Sequence, residues 1–221
     1  MIARSRIVIV EDHRLLAETV GLALQVEGHD VAVADLENEL SLLGSVAPDE
    51  RTLVLLDLDL GALGDATRLI PTFVQAGAAV LVVTGARDRV RLAATLEAGA
   101  VGFVAKDAPF DELLAAIQRA ARDESVLDPN DRYQLLAELR GHRTSERQLH
   151  APFESLTTRE RQVLEALAQG KSVEAIATEW VVSPATVRTQ VRGILTKLDV
   201  NSQLAAVAKA RAAGVLDDAT R

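Results

Sequence analysis

The chain has 221 residues, no cysteine and a formal net charge of −8. Without cysteine, disulfide bonds, thiolate metal sites and thiol catalysts are excluded. The N-terminus lacks a signal-peptide pattern and no apolar run is long enough to span a membrane, so we expect a cytoplasmic protein with no membrane partner. Residues 1–150 hold 15 basic and 24 acidic side chains, whereas residues 151–221 hold 9 and 8. This uneven charge predicts two domains with different partners.

The first 125 residues alternate short apolar runs with helical patterns. Most of the runs are continuously apolar, which is typical of strands that helices cover on both faces. In the first helical segment, Leu16, Val20 and Leu24 recur at helical spacing and form one apolar stripe. The five predicted strands are residues 6–10, 30–34, 52–57, 79–84 and 102–106. This alternation predicts an α/β fold with a doubly wound, five-stranded parallel sheet.

The region after the last predicted strand is helical at first and then polar. Residues 109–122 predict a closing helix. Asp128 followed by Pro129 predicts the start of another helix, which we expect to end near residue 140. Residues 141–155 are polar and lack periodicity, so we expect a linker there.

The end of the chain predicts a small all-α domain. Thr157 and Glu160 form a capping box at the start of its first helix. Ser183 and Pro184 begin a longer helix, which follows a short helix and a turn, and this order is that of a helix-turn-helix. The expected organisation is a first domain over residues 1–125, a helix plus linker over 126–154, and the all-α domain over 155–221.

Side chains able to bind a metal or a phosphoryl group lie at the ends of four of the predicted strands. In open parallel sheets, ligands bind beyond the carboxyl ends of the strands. Clustered carboxylates repel one another and favour a hard divalent cation with oxygen ligands, and Mg²⁺ is such a cation. The residues at these strand ends are Glu11 and Asp12, Asp57, Thr84, and Lys106. Three carboxylates, a hydroxyl and an ammonium at one sheet edge predict a magnesium site for phosphoryl transfer.

Two kinds of chemistry fit Asp57, which ends the third apolar run. It is either the nucleophile of a phosphatase, with Asp59 as its acid–base partner, or a phosphate-accepting switch residue. In both cases Thr84 and Lys106 hold phosphoryl oxygens, the first by a hydrogen bond and the second by charge. The residues alone leave both hypotheses open.

Residues 5–123 resemble the receiver domain of two-component response regulators, which has a flavodoxin-like fold. The family pattern is an acidic pair after strand one, a phosphoacceptor aspartate after strand three, a serine or threonine after strand four, and a lysine after strand five. The resemblance implies that Asp12 binds Mg²⁺ directly and Glu11 binds it through water. It also implies that Asp57 accepts the phosphoryl group and that Asp59 offers only its backbone carbonyl to the metal.

Thr84 and Phe103 occupy the positions of the family's switch residues, although Phe103 fits equally well as a core residue of strand five. The sequence departs from the family beyond the phosphoacceptor, where Leu60 and Gly61 replace the usual Met-Pro. Because glycine is conformationally permissive, we expect a looser loop beside the metal site, with consequences for phosphorylation rate and metal affinity.

Haloacid-dehalogenase-type phosphatases resemble this chain in a more limited way. They also carry an apolar strand that ends in Asp-x-Asp, as Asp57 and Asp59 do here. Those enzymes place the motif on an early strand and their metal-binding acids after the lysine. Here the acidic pair precedes Asp57, and no suitable acid follows Lys106. This order favours the receiver, and we therefore predict a regulator and not an enzyme.

Residues 156–216 resemble the NarL/LuxR-type helix-turn-helix DNA-binding domain. The matching positions are Leu156, Thr157, Arg159, Glu160, Ala168, Gly170, Ile176, Ala177, Ser183, Thr186, Val187, Lys197 and Leu198. The exposed face of the second helix of the motif carries Arg188, Thr189 and Arg192, and the two arginines are i, i+4 neighbours that reach base edges or phosphates. We assign these three residues and Lys197 to DNA binding.

The sequence of the DNA-binding domain departs from the family pattern at two positions. Gln190 and Gln203 stand where the family commonly has a histidine and an arginine, and fewer cations facing phosphates should weaken binding. Affinity should then depend on dimerisation across a two-fold DNA site.

The two resemblances together imply a phosphorylation-controlled, DNA-binding transcriptional regulator. A sensor histidine kinase or a small phosphodonor would phosphorylate Asp57, and the resulting homodimer would bind double-stranded DNA. The alternatives are a phosphorylation-independent regulator with a relic pocket and, from another class, the phosphatase.

Overall fold

The computed structural model describes residues 6–36, 44, 52–122 and 124–216. The chain divides into two compact units, residues 1–141 and 142–221. Among the helices that the structure describes, none combines the length and apolarity needed to cross a bilayer.

The described part of the first unit contains a five-stranded parallel sheet with the strand order β2-β1-β3-β4-β5. The elements are β1 (Arg6–Val10), α1 (Arg14–Val26), β2 (Asp30–Val33), β3 (Thr52–Leu56), α2 (Ile70–Gln75), β4 (Ala79–Thr84), α3 (Arg89–Glu97), β5 (Gly102–Ala105) and α4 (Phe110–Ala121). The predicted fold is therefore confirmed, and each strand ends within one residue of its prediction. A helix expected between the second and third strands lies outside the described residues.

Both faces of the central strands β1, β3 and β4 are largely buried, as their continuously apolar sequences predict, whereas the edge strand β2 is partly exposed. Val8 and Val54 face a core that includes Phe73, whereas Ile7 and Leu53 face a second core on the opposite side. Each large apolar side chain buried in this way contributes about 1.5–3 kcal/mol to the free energy of folding. The sheet is therefore a rigid support for the residues that follow its strands.

The register of the sheet sets the position of the strand ends. Val10 lies opposite Leu56, so that β1 and β3 end at the same level. The amide of Asp57 continues the ladder by donating to the carbonyl of Val10 at 2.9 Å. Likewise, the amide of Lys106 donates to the carbonyl of Thr84 at 3.0 Å, which aligns the ends of β4 and β5.

The linker prediction is wrong for most of its length. A single helix, α5, runs over Pro129–Glu154, well past the predicted end near residue 140. Its second half is largely exposed and therefore needs no apolar stripe, so the missing periodicity was no evidence against a helix. Extending an existing helix is easier than starting one, and an i, i+4 contact joins His142 Nδ1 to Glu146 Oε2 at 3.5 Å.

The remaining helices form the second unit. They are α6 (Thr158–Ala168), α7 (Val173–Glu179), α8 (Pro184–Leu198) and α9 (Gln203–Ala212). Each starts after a capping hydroxyl, and Thr157 and Glu160 complete the predicted capping box. The buried stripe of α8 consists of Val187, Val191, Ile194 and Leu198. These four helices and Phe153 at the end of α5 thus enclose one apolar core, as predicted for the all-α domain.

Candidate functional site

The carboxyl ends of the strands bring charged side chains into contact. Lys106 Nζ lies 2.6 Å from Glu11 Oε2 and 2.8 Å from Asp57 Oδ2. We call Glu11, Asp12, Asp57 and Lys106 the acidic pocket. Thr84 is buried beside it at the end of β4, and its hydroxyl accepts a hydrogen bond from the amide of Ala86 at 3.1 Å.

Asp57 is the most enclosed carboxylate of the acidic pocket, with only 3% of its surface exposed. Its Oδ1 accepts a hydrogen bond from the amide of Leu58 at 2.7 Å. Burial raises the pKa of Asp57, and the charge of Glu11 adds to this, although the hydrogen bond from Lys106 opposes both. Burial lowers the pKa of Lys106, but its bonds to Asp57 and Glu11 outweigh that effect and leave the pKa raised.

The acidic pocket has the donor set of a cation site. Ligand atoms of Glu11, Asp12, His13 and Asp57 all lie within 4.8 Å of one another. Carboxylate oxygens at this density are hard ligands that suit Mg²⁺, and Asp12 is exposed enough to exchange water for a metal. The residues therefore fit the cation that the sequence predicts.

His13 is a neighbour of the acidic pocket that the sequence analysis missed. Its Nδ1 lies 2.9 Å from Glu11 Oε1 and 2.8 Å from Asp12 Oδ1. The hydrogen bond with Glu11 raises the pKa of His13, and the charge of Asp12 adds to the shift. The sequence feature that could have identified His13 is its position directly after the acidic pair and directly before α1.

The loop of residues 58–65, which we call the 58–65 loop, has a defined course. The amide of Leu60 donates to the carbonyl of Gly64 at 3.1 Å, and the Leu60 side chain is buried. Gly61 has a φ of 52°, and a Cβ there would lie 3.0 Å from Asp12 Oδ2. Glycine at 61 thus allows the loop to pass close to the acidic pocket. The geometry gives no support to the expectation of a looser loop.

The side chain of Asp59 is bound outside the acidic pocket. Its carboxylate accepts two hydrogen bonds from Arg91, at 2.7 and 3.2 Å. A carboxylate held in this way by a guanidinium is poorly suited to serve as the acid–base partner of Asp57. Arg91 was not identified from the sequence, because no pattern relates it to a loop 26 or more residues earlier.

Phe103 lies on β5, half-buried between two groups of apolar side chains. One is the core that contains Phe73, and the other joins α3 to α5 through Leu96 and Leu135. This position is compatible with a core residue and with a switch residue alike, so the switch role stays a prediction.

The second unit presents part of α8 to solvent. Arg188, Thr189 and Arg192 are exposed, in agreement with the face assigned to DNA from the sequence. Arg188 Nη2 lies 2.8 Å from Glu174 Oε1 on α7, and both side chains are more than half exposed. The hydroxyl of Thr189 donates to the carbonyl of Ala185 at 3.0 Å.

Lys197 differs from the other three residues assigned to DNA. Its Nζ lies 2.6 Å from Glu160 Oε2, and Glu160 is 6% exposed. Gly193 makes room for this carboxylate, since a Cβ at 193 would lie 2.5 Å from Glu160 Oε1. The geometry favours a structural role for Lys197, and its contact with DNA stays a prediction.

Comparison with known proteins finds a separate family match in each compact unit. Residues 7–118 match the response regulator receiver domain, and residues 154–210 match the luxR family of bacterial regulatory proteins. The chain is 30% identical over 213 residues to the probable transcriptional regulatory protein NarL of Mycobacterium tuberculosis, with 96% of each chain covered. It is 31% identical over 205 residues to the nitrate/nitrite response regulator protein NarP of Escherichia coli, with 91% of this chain and 92% of that one covered.

A solved structure shares the fold. The complex of the response regulator RcsB with DNA has a TM-score of 0.50 and 21% sequence identity, covering 94% of this chain and 98% of that chain.

The chain belongs to the two-component response regulators that join a receiver domain to a LuxR-type helix-turn-helix domain. It is a phosphorylation-controlled transcriptional regulator, as the sequence predicted. Response regulators interact with histidine kinases and with DNA, receiver domains usually bind Mg²⁺ at their acidic cluster, and proteins of this type are typically not enzymes. The phosphatase hypothesis is not favoured.

Proposed function

We propose that Asp57 is the phosphoacceptor and that a sensor histidine kinase is its donor. The observation that carries the proposal is the environment of its carboxylate, which is 3% exposed and 2.8 Å from the ammonium of Lys106. Glu11 and Asp12 lie close enough to share a cation with it. A buried nucleophile beside a fixed positive charge suits phosphoryl transfer, which depends mainly on positioning and charge stabilisation.

The transfer forms a bond between a carboxylate oxygen of Asp57 and phosphorus. The bond from phosphorus to the histidine nitrogen of the donor breaks, and the leaving imidazole keeps the electron pair and takes up a proton from water. Lys106 pairs with the phosphoryl oxygens by charge. The hydroxyl of Thr84 already accepts from Ala86, so its own proton is available to donate to the new phosphoryl group.

Asp12 and Asp57 would hold Mg²⁺ directly, with Glu11 bound through water and Asp59 through its backbone carbonyl. Bound Mg²⁺ supplies positive charge that offsets the charge of the carboxylates and of the incoming phosphoryl group. The protein itself contributes no enzymatic turnover in this scheme, because the phosphoryl group stays on Asp57 as a signal.

The response to phosphorylation runs from Thr84 and Phe103 to the DNA-binding domain. We propose that the phosphorylated chain forms a homodimer and binds a paired site in double-stranded DNA through Arg188, Thr189 and Arg192. These side chains lie on the exposed face of α8, which suits the major groove. The protein acts in the cytoplasm, where the kinase domains and the DNA are found.

The proposed domain limits follow the sequence, with one change. The receiver domain takes residues 1–125 and the DNA-binding domain residues 155–221, and residues 126–154 join them. The joining segment is a helix over most of its length and not a helix plus linker.

The test is phosphorylation of the full chain with acetyl phosphate and Mg²⁺, followed by intact mass spectrometry. We expect one phosphoryl adduct on the wild type and on Asp59→Asn, and none on Asp57→Asn. Asp59→Asn is the comparison variant because it removes the carboxylate that the phosphatase hypothesis needs as acid–base partner and keeps the backbone carbonyl of residue 59. An adduct on Asp57→Asn would contradict the proposal. Repeated release of inorganic phosphate without an adduct would support the phosphatase hypothesis instead.

A further inference from the structure

Arg91 connects α3 to the 58–65 loop through a dense set of hydrogen bonds. Its two terminal nitrogens donate to both carboxylate oxygens of Asp59, at 2.7 and 3.2 Å. Nη2 also donates to the backbone carbonyl of Leu58 at 3.1 Å, and Nε donates to Asp65 Oδ2 at 3.2 Å. One guanidinium therefore binds both ends of the same loop.

The burial of these groups shows which partner is fixed. The side chain of Arg91 is 23% exposed, whereas those of Asp59 and Asp65 are 65% and 55% exposed. Asp88 caps α3 by accepting from the amides of Val90 and Arg91, so the backbone at Arg91 is held by the helix. Arginine is thus the anchored partner, and the loop is attached to it.

The 58–65 loop forms one wall of the acidic pocket. The amide of Leu58 donates to Asp57 Oδ1 at 2.7 Å, and a Cβ at Gly61 would lie 3.0 Å from Asp12 Oδ2. The backbone hydrogen bonds of this loop join its own residues to one another, as from Leu60 to Gly64 and from Ala66 to Leu58. A shift of this loop would move the amide that binds Asp57 and the backbone that passes close to Asp12.

We propose that Arg91 is a positioning residue for phosphorylation. It holds the 58–65 loop against the acidic pocket, so that the amide of Leu58 and the carbonyl of Asp59 stay where the reaction needs them. The ion pairs of Arg91 attach the two ends of the loop to α3, which the hydrogen bonds within the loop do not do. This inference rests on the proposed function of Asp57 as phosphoacceptor in a magnesium site.

The first experiment measures hydrogen exchange in the metal-free full chain. In Arg91→Ala we expect the amides of Leu60, Gly64 and Ala66 to exchange at least about fivefold faster than in the wild type, because the loop opens more often. Arg89→Ala is the matched control. Arg89 lies two residues earlier on α3 and makes an equivalent two-bond pair with Glu138, at 2.8 and 2.9 Å.

The second experiment measures Mg²⁺ binding from the amide chemical shifts of residues 57–61 during a titration. We expect the dissociation constant to rise about fivefold or more in Arg91→Ala and to stay unchanged in Arg89→Ala. Arg91→Lys should fall between the wild type and Arg91→Ala, since lysine keeps the charge but not the two-nitrogen fork. The rate of phosphorylation by acetyl phosphate should follow the same order.

An Arg91→Ala chain that keeps wild-type loop exchange and wild-type Mg²⁺ affinity would overturn the inference. A general loss of protection across the sheet would make that variant uninformative, and Asp59→Ala then replaces it, because it removes the same pair from the exposed side. Equal loop exchange in Asp59→Ala and the wild type would also overturn the inference. By contrast, a wild type that binds no Mg²⁺ and takes no phosphoryl group refutes the proposed function itself.

Discussion

Among the described residues, Val181 is the one whose backbone conformation departs most from its preferences. It lies in the turn between α7 and α8 with a φ of 57°, and its side chain is 91% exposed. The left-handed region costs an L-residue about 1–2 kcal/mol, and a β-branched side chain is among the least suited to it. No buried contact of so exposed a side chain compensates for this strain.

We predict that Val181→Gly raises the free energy of unfolding of the second unit by about 1 kcal/mol. Glycine adopts this φ without strain, although its greater freedom in the unfolded chain offsets part of the gain. Urea unfolding followed by the fluorescence of Trp180, the single tryptophan of the chain, reports on this unit. Asp199→Gly is the control, because Asp199 has a φ of 49° but aspartate tolerates it better. A destabilised Val181→Gly would show that the valine makes a necessary contact.

Glu160 links the capping box at the start of α6 to Lys197 on α8. Burial opposes its ionisation, but the hydrogen bonds from Lys197 and Thr157 outweigh it and leave the pKa of Glu160 below its ordinary value of 4.5. A depressed folded-state pKa means that this carboxylate stabilises the fold above about pH 4.5, and that its contribution is lost as the pH falls through the folded-state pKa.

Glu160→Gln should therefore lower the stability of the second unit by about 2 kcal/mol at pH 7 and flatten its decline below pH 4.5. The same Trp180 unfolding experiment, repeated across that pH range, measures both effects. Glu165→Gln is the matched control, since Glu165 is exposed on the same helix. Identical pH profiles for Glu160→Gln and the wild type would contradict the structural role of the ion pair.

At the scale of the element, α8 carries both the residues proposed to contact DNA and residues that maintain the fold. Arg188 and Arg192 are exposed on it, whereas the ammonium of Lys197 is bound to Glu160. Each phosphate contact contributes about one unit to the slope of log affinity against log salt concentration. The three cations should therefore respond differently to removal.

We predict that Arg188→Ala and Arg192→Ala each weaken DNA binding about tenfold and reduce the salt slope by about one unit if they contact phosphates. Lys197→Met should leave the slope unchanged and lower stability instead. Fluorescence anisotropy over a series of salt concentrations measures the slopes, with a duplex enriched from a random-sequence pool. A reduced slope for Lys197→Met would restore its assignment to DNA.

The elements differ in how well the sequence predicts them. Buried strands and capped helices carry strong local signals, and for this reason the sheet and the helix-turn-helix were predicted closely. The second half of α5 is an exposed helix whose stability comes from propensity and continuity, and neither leaves a periodic apolar pattern. Apolar periodicity detects helices that pack, not helices that are solvated.

The candidate site likewise contains residues that the sequence predicts and residues that it does not. Strand ends converge by topology, so Glu11, Asp57 and Lys106 could be brought together from the sequence alone. The ion pair of Arg91 with Asp59 depends on how one helix and one loop meet, and no sequence spacing encodes it. For the same reason the bond between Lys197 and Glu160, 37 residues apart, was not foreseen.

At the scale of the whole molecule, the function requires that a chemical change on one domain alter the affinity of another. The proposed phosphorylation of Asp57 adds negative charge beside Lys106 and Thr84, whereas the side chains proposed to contact DNA lie in a different compact unit. Coupling of this kind is a free-energy difference between two states of the full chain, and it typically changes affinity about 5- to 150-fold.

The most direct test of this account is the DNA affinity of the full chain with and without phosphorylation of Asp57. The duplex would be the one enriched by protein treated with phosphodonor, and Asp57→Asn given the same treatment is the control. We predict that phosphorylation tightens binding of the wild type at least about tenfold and leaves Asp57→Asn unchanged. Equal DNA affinities for the phosphorylated and unphosphorylated wild type would contradict the proposed control by phosphorylation. An equal gain in affinity in Asp57→Asn would contradict the role of Asp57.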